Sequence, residues 1–272
     1  MYDFTSIVKN INNLKRSKKF ITNAYFSTLD LERKNDSGNC IIHLNDKFIS
    51  ILEDNNSFLR LYFYMRSDEN IIELIQYLKT IGNKTIALDM VGRNPFAQIV
   101  TNLLCQHNFK TFANFSRWQA KPTKRILNGK INNVAIEIAK SDNANEILGI
   151  LTKHFDPITS HLPNIDKIDL GIRNDEIFVV KNSGRIAALI WVENNGVKTK
   201  YIYQLVVLDE FRNMRYGRSL YEFIFNLYDV NTVYTVWTDD ENDAINNVNK
   251  FFGFNKDGLV NHILTFENKG EG

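Results

Sequence analysis

Three strand-like segments separated by tight turns constrain the second half of this 272-residue chain more than any other feature. Residues 176–181 are mostly apolar, residues 186–193 are rich in β-forming side chains, and residues 198–207 form a longer alternating run. Residues 182–185 and the pair Asn195-Gly196 separate them. Asn-Gly between two such runs is a strong hairpin signal, because a type I′ turn needs positive φ at both central residues. The pattern predicts an antiparallel meander of three strands.

Helical spacing appears on both sides of this meander. A short strand and a helix are predicted before it, at 134–138 and 144–154, and a helix, a strand, a helix and a final strand after it, at 219–228, 233–237, 241–252 and 254–266. The 219–228 helix has Leu220, Phe223, Ile224 and Leu227 on one face. A mostly antiparallel meander that leads into a βαβ unit indicates an α+β fold.

The first half shows a weaker copy of the same order, ending in a strand at 109–118. Between the halves lies a polar segment that contains Pro122, which favours a connector. We therefore predict a first domain at 1–118, a linker at 119–131 and a second domain at 132–268. An unrelated α/β domain remains the alternative for the first half.

Composition excludes several classes of protein. The net charge of +2 gives no basic cluster for nucleic acid or for an anionic membrane. Two cysteines, Cys40 and Cys105, make neither a disulfide framework nor a zinc set. No apolar run approaches the roughly 20 residues that span a bilayer, and the start lacks the pattern of a signal peptide. We expect a cytoplasmic protein, monomeric or homodimeric, that binds neither nucleic acid nor membrane nor a metal ion.

The stretch 205–220 carries the clearest chemistry, because an apolar strand there runs into a polar loop that opens a helix. Free amides at a helix N-terminus bind phosphate oxygens. Three arginines, Arg212, Arg215 and Arg218, lie in this loop, and Gly217 lets a ligand approach the backbone closely. The stretch is a candidate pyrophosphate site, and a solvated basic turn before a surface helix is the alternative.

These residues resemble the cofactor motif of the GNAT N-acetyltransferase superfamily, Arg/Gln-x-x-Gly-x-Gly/Ala after the fourth strand. Arg212 and Gly217 match its ends, and Arg215 stands where the first glycine is usual. About thirty residues on, Asn242 and the pair Gly253-Phe254 match the second part of the pattern. The resemblance covers about 140 residues and implies that the second domain binds acetyl-CoA.

The resemblance also implies which residues hold the cofactor. The backbone of Leu205, Val206 and Val207 would pair with the pantetheine arm like an added strand. The pyrophosphate would be held by the amides of Asn213, Met214, Arg215, Tyr216, Gly217, Arg218 and Ser219, beside Arg212. Asn242 would contact the pantetheine or brace the second helix. The first domain would be a degenerate copy, because its counterpart loop at 65–70 has no glycine and carries two acids.

The implied reaction is transfer of an acetyl group from acetyl-CoA to an amine of a small molecule. The usual general acid of the family is a tyrosine four residues before Gly-Phe, and this chain has Asn249 there, which is then left to contact the sulfur or the pantetheine. The candidate bases are Tyr203, Asp239 and Glu241 in that order. Tyr203 leads because its alternation with Leu205 and Val207 would point it into the cleft.

A purely structural role remains an alternative for each of these residues. A tyrosine in this strand is often a core residue, and acids before a helix are favourable N-terminal charges. Two other functions also stay open. One is a non-catalytic acyl-CoA sensor, and the other is an aminoacyl transferase like the tandem enzymes that build peptidoglycan bridges.

Overall fold

The computed structural model describes residues 3–122 and 134–267, and the chain forms two compact units. Unit 1 consists of Met1–Asn114 and Leu259–Gly272, and unit 2 is Phe115–Gly258. These limits differ from the predicted domains at both ends of the second domain. The strand predicted to close the first domain passes into unit 2 at residue 115, and the last strand belongs to unit 1 from residue 259. Most of the predicted linker lies outside the described residues.

The described residues form both helices and strands. The helices are α1 (Phe4–Lys15), α2 (Thr28–Asp36), α3 (Ile71–Lys79), α4 (Phe96–Gln106), α5 (Ala144–His154), α6 (Pro157–Ser160), α7 (Ile165–Arg173), α8 (Tyr216–Leu227) and α9 (Asp243–Phe251). The strands are β1 (Ile21–Thr22), β2 (Cys40–Leu44), β3 (Phe48–Asp54), β4 (Phe58–Met65), β5 (Thr85–Arg93), β6 (Lys110–Ala120), β7 (Ile136–Ile138), β8 (Ile177–Asn182), β9 (Arg185–Asn194), β10 (Thr199–Val207), β11 (Val233–Asp239) and β12 (Asn255–Phe266).

Unit 1 is built on a sheet in the order β2-β3-β4-β5-β12, in which β4 and β5 are parallel and the other neighbours antiparallel. Helices α3 and α4 bury Leu74 and Leu104 against one group of sheet residues. Helices α1 and α2 bury Ile11 and Leu31 against another. The apolar stripes of the four helices thus stabilise both faces of the sheet.

Unit 2 repeats this plan with the order β6-β11-β10-β9-β8-β7, in which only β10 and β11 are parallel. Helix α8 buries Leu220 and Ile224 against one group of sheet residues. Helices α5 and α7 bury Ile147 and Ile168 against another. The predicted α+β class and the predicted meander are confirmed.

The two hairpin turns of the meander differ from the prediction in detail. Ser183 and Gly184 both have positive φ, 51° and 82°, and join β8 to β9 as a two-residue loop. The loop that contains Asn195-Gly196 is longer, and within it only Gly196 has positive φ. The type I′ requirement for two positive φ angles is therefore met at Ser183-Gly184 and not at the Asn-Gly pair.

No described helix is long and apolar enough to cross a membrane. Within the described residues there is also no group of three or more His, Cys, Asp or Glu side chains that could hold a metal ion.

Candidate active site

A slot opens between the two parallel strands of unit 2. Strands β10 and β11 pair only from Thr199–Ile202 to Val233–Val236. Beyond that point β10 continues to Val207 along β9, and β11 continues to Asp239 along β6. No strand among the described residues pairs with the facing edges of these extensions. The edge of Leu205, Val206 and Val207 therefore has backbone groups available to a ligand that lies like an added strand.

A β-bulge lies where the slot opens. The β10–β9 register shifts between Ile202 and Gln204, so that Tyr203 is an extra residue without a partner. A bulge bends its strand and increases the local twist, which accounts for the divergence of β10 from β11. It also interrupts the alternation of side chains. Tyr203 packs in the apolar cluster of α5 and α7, whereas Leu205 and Val207 pack in the cluster of α8. The prediction that Tyr203 shares a face with Leu205 and Val207 is wrong for this reason.

Helix α8 begins directly beyond the slot and leaves amides without acceptors. The first i to i−4 hydrogen bond of the helix runs from the Ser219 N–H to the Arg215 carbonyl and is 3.0 Å long. The N–H groups of Tyr216, Gly217 and Arg218 precede that bond, and no acceptor for them is found in the part of the chain that the structure describes. With the helix dipole they form a set of donors suited to phosphate oxygens.

The loop before α8 turns through two left-handed residues. Asn213 has φ 68° and Arg215, which caps the helix, has φ 63°. This conformation costs an L-residue other than glycine roughly 1–2 kcal/mol, which explains why the family motif has a glycine where this chain has Arg215. At Gly217 an added Cβ would lie 3.4 Å from the Val207 side chain. The helix thus approaches β10 closely at Gly217, and the Cβ of an alanine there would be at the shortest ordinary van der Waals distance from Val207.

The three arginines of the loop have different environments. Arg212 pairs with Asp209 at 2.7 Å, and Arg218 pairs with Glu222 at 2.8 Å. Arg215 is exposed and has no acidic partner in the described residues. Of the three, Arg215 therefore holds its charge most freely for a ligand.

The other loop residues predicted to contact the cofactor differ in their exposure to solvent. Met214 is half exposed, the Tyr216 ring packs 6.2 Å from the ring of Phe211, and Ser219 is fully buried. The backbone of Ser219 is already bonded within the helix, so its amide is a weaker candidate than those of the three residues before it.

Helix α9 holds the second half of the motif. The Asn242 side chain caps this helix by accepting a hydrogen bond of 3.3 Å from the Ile245 N–H. Asn249 is fully buried, and its Oδ1 accepts a hydrogen bond of 2.8 Å from the Tyr221 hydroxyl. Burial raises the pKa of Tyr221 above the ordinary tyrosine range. In this geometry Asn242 braces the helix, and Asn249 has no surface to offer a cofactor.

Tyr203 is committed to a hydrogen bond. Its hydroxyl donates to the His161 carbonyl oxygen at 2.6 Å, and Lys167 Nζ lies 3.9 Å from the ring centroid. Burial, and then the Glu193 carboxylate, raise the pKa of Tyr203 to about 12. A neutral phenol that donates its proton to a carbonyl cannot accept one, so this geometry does not suit the predicted general base.

Three acids lie at the end of β11 or directly after it. Asp240 accepts a hydrogen bond from Ser116 at 2.7 Å and pairs with Lys256 at 2.6 Å. Asp239 is half buried and accepts a hydrogen bond of 2.9 Å from the Glu241 N–H, while Glu241 itself is exposed. Of the three acids, Asp239 and Glu241 are therefore the two that form no ion pair with a described residue.

Two structural features of the site were missed from sequence. The buried Asn246 side chain donates to the carbonyls of Asp239 and Asp240, at 3.0 and 3.2 Å, and so fixes the turn after β11. Glu193 pairs across the sheet with Tyr201 and forms an ion pair with Lys167 at 3.1 Å. The position of Asn246 on the inner face of a predicted helix was a weak sequence signal for its role. The contact of Glu193 with Tyr201 depends on the register between two strands, and the sequence contained no signal for it.

Comparison with known proteins agrees with this geometry. Residues 141–254 match the model of the acetyltransferase (GNAT) family. No curated protein matches the sequence. The fold is similar to that of a GCN5-related N-acetyltransferase from Sphaerobacter thermophilus, with a TM-score of 0.61 at 10% identity over 90% of this chain and 86% of that one.

Two further structures share the fold. A GCN5-related N-acetyltransferase from Kribbella flavida has a TM-score of 0.56 at 11% identity and covers 86% of this chain and 91% of its own. A tandem GNAT protein from the clavulanic acid biosynthesis pathway has a TM-score of 0.55 at 11% identity, covering 83% and 80%. The GNAT-like fold thus extends across the chain, and the sequence match to the acetyltransferase (GNAT) family covers residues 141–254, within unit 2.

Proposed function

We propose that unit 2 binds acetyl-CoA and transfers its acetyl group to an amine of a small molecule. The observation that carries the proposal is the continuity of two features: the open edge of β10 leads directly to the free amides at the start of α8. An extended arm that ends in a pyrophosphate has the shape and charge for this pair of features. Members of the GNAT family typically use acyl-CoA substrates.

The cofactor would lie with its pantetheine arm along Leu205, Val206 and Val207. Its pyrophosphate would accept hydrogen bonds from the amides of Tyr216, Gly217 and Arg218. Arg215, which has no acidic partner among the described residues, would contact a phosphate with its side chain. Because the open edge of β10 offers backbone groups, these contacts would select for the arm and the phosphates more than for the acyl group.

The acceptor amine would approach from the opposite face of the sheet. Val236 packs with α8, and the Thr238 hydroxyl donates to a side chain of α9. Since alternate strand residues point to opposite faces, Asp239 points away from these helices. Tyr203 of β10 also packs on that other face. Asp239 and the two tyrosines of β10, Tyr201 and Tyr203, thus surround the place where a thioester in the slot would meet an amine.

Asp239 is the base in this proposal, directly or through one water, with Glu241 as the alternative. The neutral amine attacks the thioester carbonyl, the N–C bond forms, and the C–S bond breaks. The amine's proton goes to the carboxylate, and the sulfur leaves as a thiolate. An ordinary thiol has a pKa of about 8.5, so this leaving group does not require an acid at Asn249. Tyr203 would hold the backbone at His161 in place on the acceptor side of the slot, through the hydrogen bond from its hydroxyl to the His161 carbonyl.

The test is a steady-state assay of thiol release from acetyl-CoA with a panel of small primary amines. We expect amine-dependent release in the native protein and a loss of about 10²-fold or more in kcat for Asp239→Asn, the usual effect of removing a general base. Glu241→Gln is the matched control and should retain kcat within a few-fold. Equal losses in the two variants, or none in either, would reject Asp239 as the base.

A second candidate function is that of an acyl-CoA sensor without turnover. It is favoured by the burial of Asn249, which leaves the family's usual acid position without a group that faces the slot. Saturable acetyl-CoA binding with no thiol release for any amine of the panel would support the sensor over the enzyme.

A further inference from the structure

Unit 1 contains a slot like that of unit 2. Its two parallel strands, β4 and β5, pair only between Phe58–Arg60 and Thr85–Ala87. Strand β4 then continues to Met65 along β3, and β5 continues to Arg93 along β12. The two strands thus part after three paired residues, as β10 and β11 do after four.

The facing edge of β4 in this slot is occupied by the chain itself. Strand β3 pairs with β4 along nearly all of its length, from Leu59 to Met65. Strand β1 also pairs with β4, with Ile21 opposite Met65 and Thr22 opposite Tyr64. Because β3 already holds one edge of β4, β1 must lie on the other edge, which is the edge that faces β5.

Asn23 bridges the two parted strands. Its Nδ2 donates to the Leu61 carbonyl of β4 at 2.9 Å and to the Asp89 carbonyl of β5 at 3.2 Å. Its Oδ1 accepts a hydrogen bond of 2.7 Å from the Phe63 N–H. The side chain is only 6% exposed. One amide group therefore satisfies backbone groups that parallel pairing would otherwise have used.

Neighbouring residues complete the contact. The Thr22 hydroxyl donates to the Phe63 carbonyl at 2.6 Å and accepts from the Ala24 N–H at 2.9 Å. The Tyr25 hydroxyl donates to the Val91 carbonyl of β5 at 3.2 Å. Residues 21–25 thus contact both walls of the slot through backbone and side chains.

We infer that residues 21–25 are a built-in occupant of the unit 1 slot, lying where an extended ligand arm would otherwise add to β4, so that the chain has a single acyl-CoA site. The inference rests on the proposed function in one respect, namely that the ligand excluded from unit 1 is acyl-CoA. The loop beyond β4 agrees with it. Asp68 and Glu69 form its 3-10 turn, and Lys19 pairs with Glu69 at 3.0 Å instead of facing a phosphate.

The experiment is residue-resolved hydrogen exchange on the full chain, without ligand and with saturating acetyl-CoA. Without ligand, Asn23→Ala should speed exchange of the Phe63 amide by at least about tenfold, since that amide loses its buried acceptor. Asn55→Ala, an exposed asparagine of the same unit, is the matched control and should leave Phe63 unchanged. Thr22→Val is a milder second variant, which should speed exchange at Ala24 if Asn23→Ala does not fold.

With acetyl-CoA, slowed exchange is expected at residues 203–219 of unit 2 and none at residues 58–65 of unit 1, with one ligand bound per chain. Ligand-dependent protection at 58–65, a second bound ligand, or a Phe63 amide that exchanges equally fast in native and Asn23→Ala protein would overturn the inference. No protection at 203–219 would instead reject the proposed function, and the ligand-free comparison of Phe63 would still decide the inference.

Discussion

Replacing Arg215 by glycine should make unit 2 more stable and its cofactor binding weaker. Arg215 adopts φ 63°, a conformation that costs an L-residue roughly 1–2 kcal/mol. Glycine avoids that cost but loses about 0.5–1 kcal/mol through the greater entropy of its unfolded chain. The net expected gain is about 0.5–1 kcal/mol, or about 2 °C in Tm for a unit of this size.

Binding should change in the opposite direction. The Arg215 guanidinium has no acidic partner in the described residues, so its charge is available to a phosphate. A hydrogen bond to a charged group contributes about 1.5–3 kcal/mol, which corresponds to an acetyl-CoA Kd that is roughly 10- to 150-fold weaker in Arg215→Gly. Calorimetric titration with acetyl-CoA measures this loss, and acetylpantetheine, which has no phosphates, should bind the two proteins equally.

Arg212→Ala is the matched control, because Arg212 is already paired with Asp209. Its acetyl-CoA affinity should change by only a few-fold. The reasoning about Arg215 is refuted if Arg215→Gly weakens acetyl-CoA and acetylpantetheine by the same factor, or if the variant is less stable than the native protein.

Three further results test the packing and the ionisation of unit 2. Gly171→Ala should destabilise by about 1–3 kcal/mol in urea unfolding, because its Cβ would lie 2.7 Å from a buried indole, whereas Gly149→Ala, in an open helical position, should stabilise by about 0.5–1 kcal/mol. Tyr221→Phe should cost about 1–3 kcal/mol by leaving the buried Asn249 oxygen without a donor, and the double variant Tyr221→Phe/Asn249→Leu should recover most of that loss. The pKa of Tyr203 is raised to about 12 in the folded protein, so the neutral phenol favours the folded state. This contribution to stability is fully present below pH 10 and is lost as the pH rises through 12. Tyr203→Phe should therefore flatten the fall in Tm over that range and leave the kcat profile between pH 6 and 9 unshifted.

Local signals in the sequence were enough for much of unit 2. The turn at Ser183-Gly184, the Asn-Gly hairpin and the spacing from Arg212 to Gly217 each depend on residues close together in the chain. Their conformational preferences act within a few residues, so the meander and the strand-loop-helix could be predicted.

Strand partners could not be predicted in the same way. Periodicity shows that residues 110–120 and 255–266 form strands, but the choice of neighbour depends on tertiary packing. The sequence therefore did not indicate that β6 passes into unit 2 or that β12 returns to unit 1. The bulge at Tyr203 was missed for a related reason, since an extra residue is visible only against the partner strand.

The occupied slot of unit 1 was beyond sequence reasoning as well. Strand β1 has two residues, too few to show a period, and Asn23 looks like any other asparagine in a chain rich in them. Its role follows from the three backbone groups that its amide contacts at once.

The central claim is that the slot and the helix start of unit 2 bind acetyl-CoA, and calorimetric titration of the full chain tests it most directly. We expect a saturable signal with one ligand per chain and a binding free energy of about −5 to −8 kcal/mol, that is, a Kd between low micromolar and submillimolar. The absence of any heat or thermal shift at millimolar acetyl-CoA would contradict the claim.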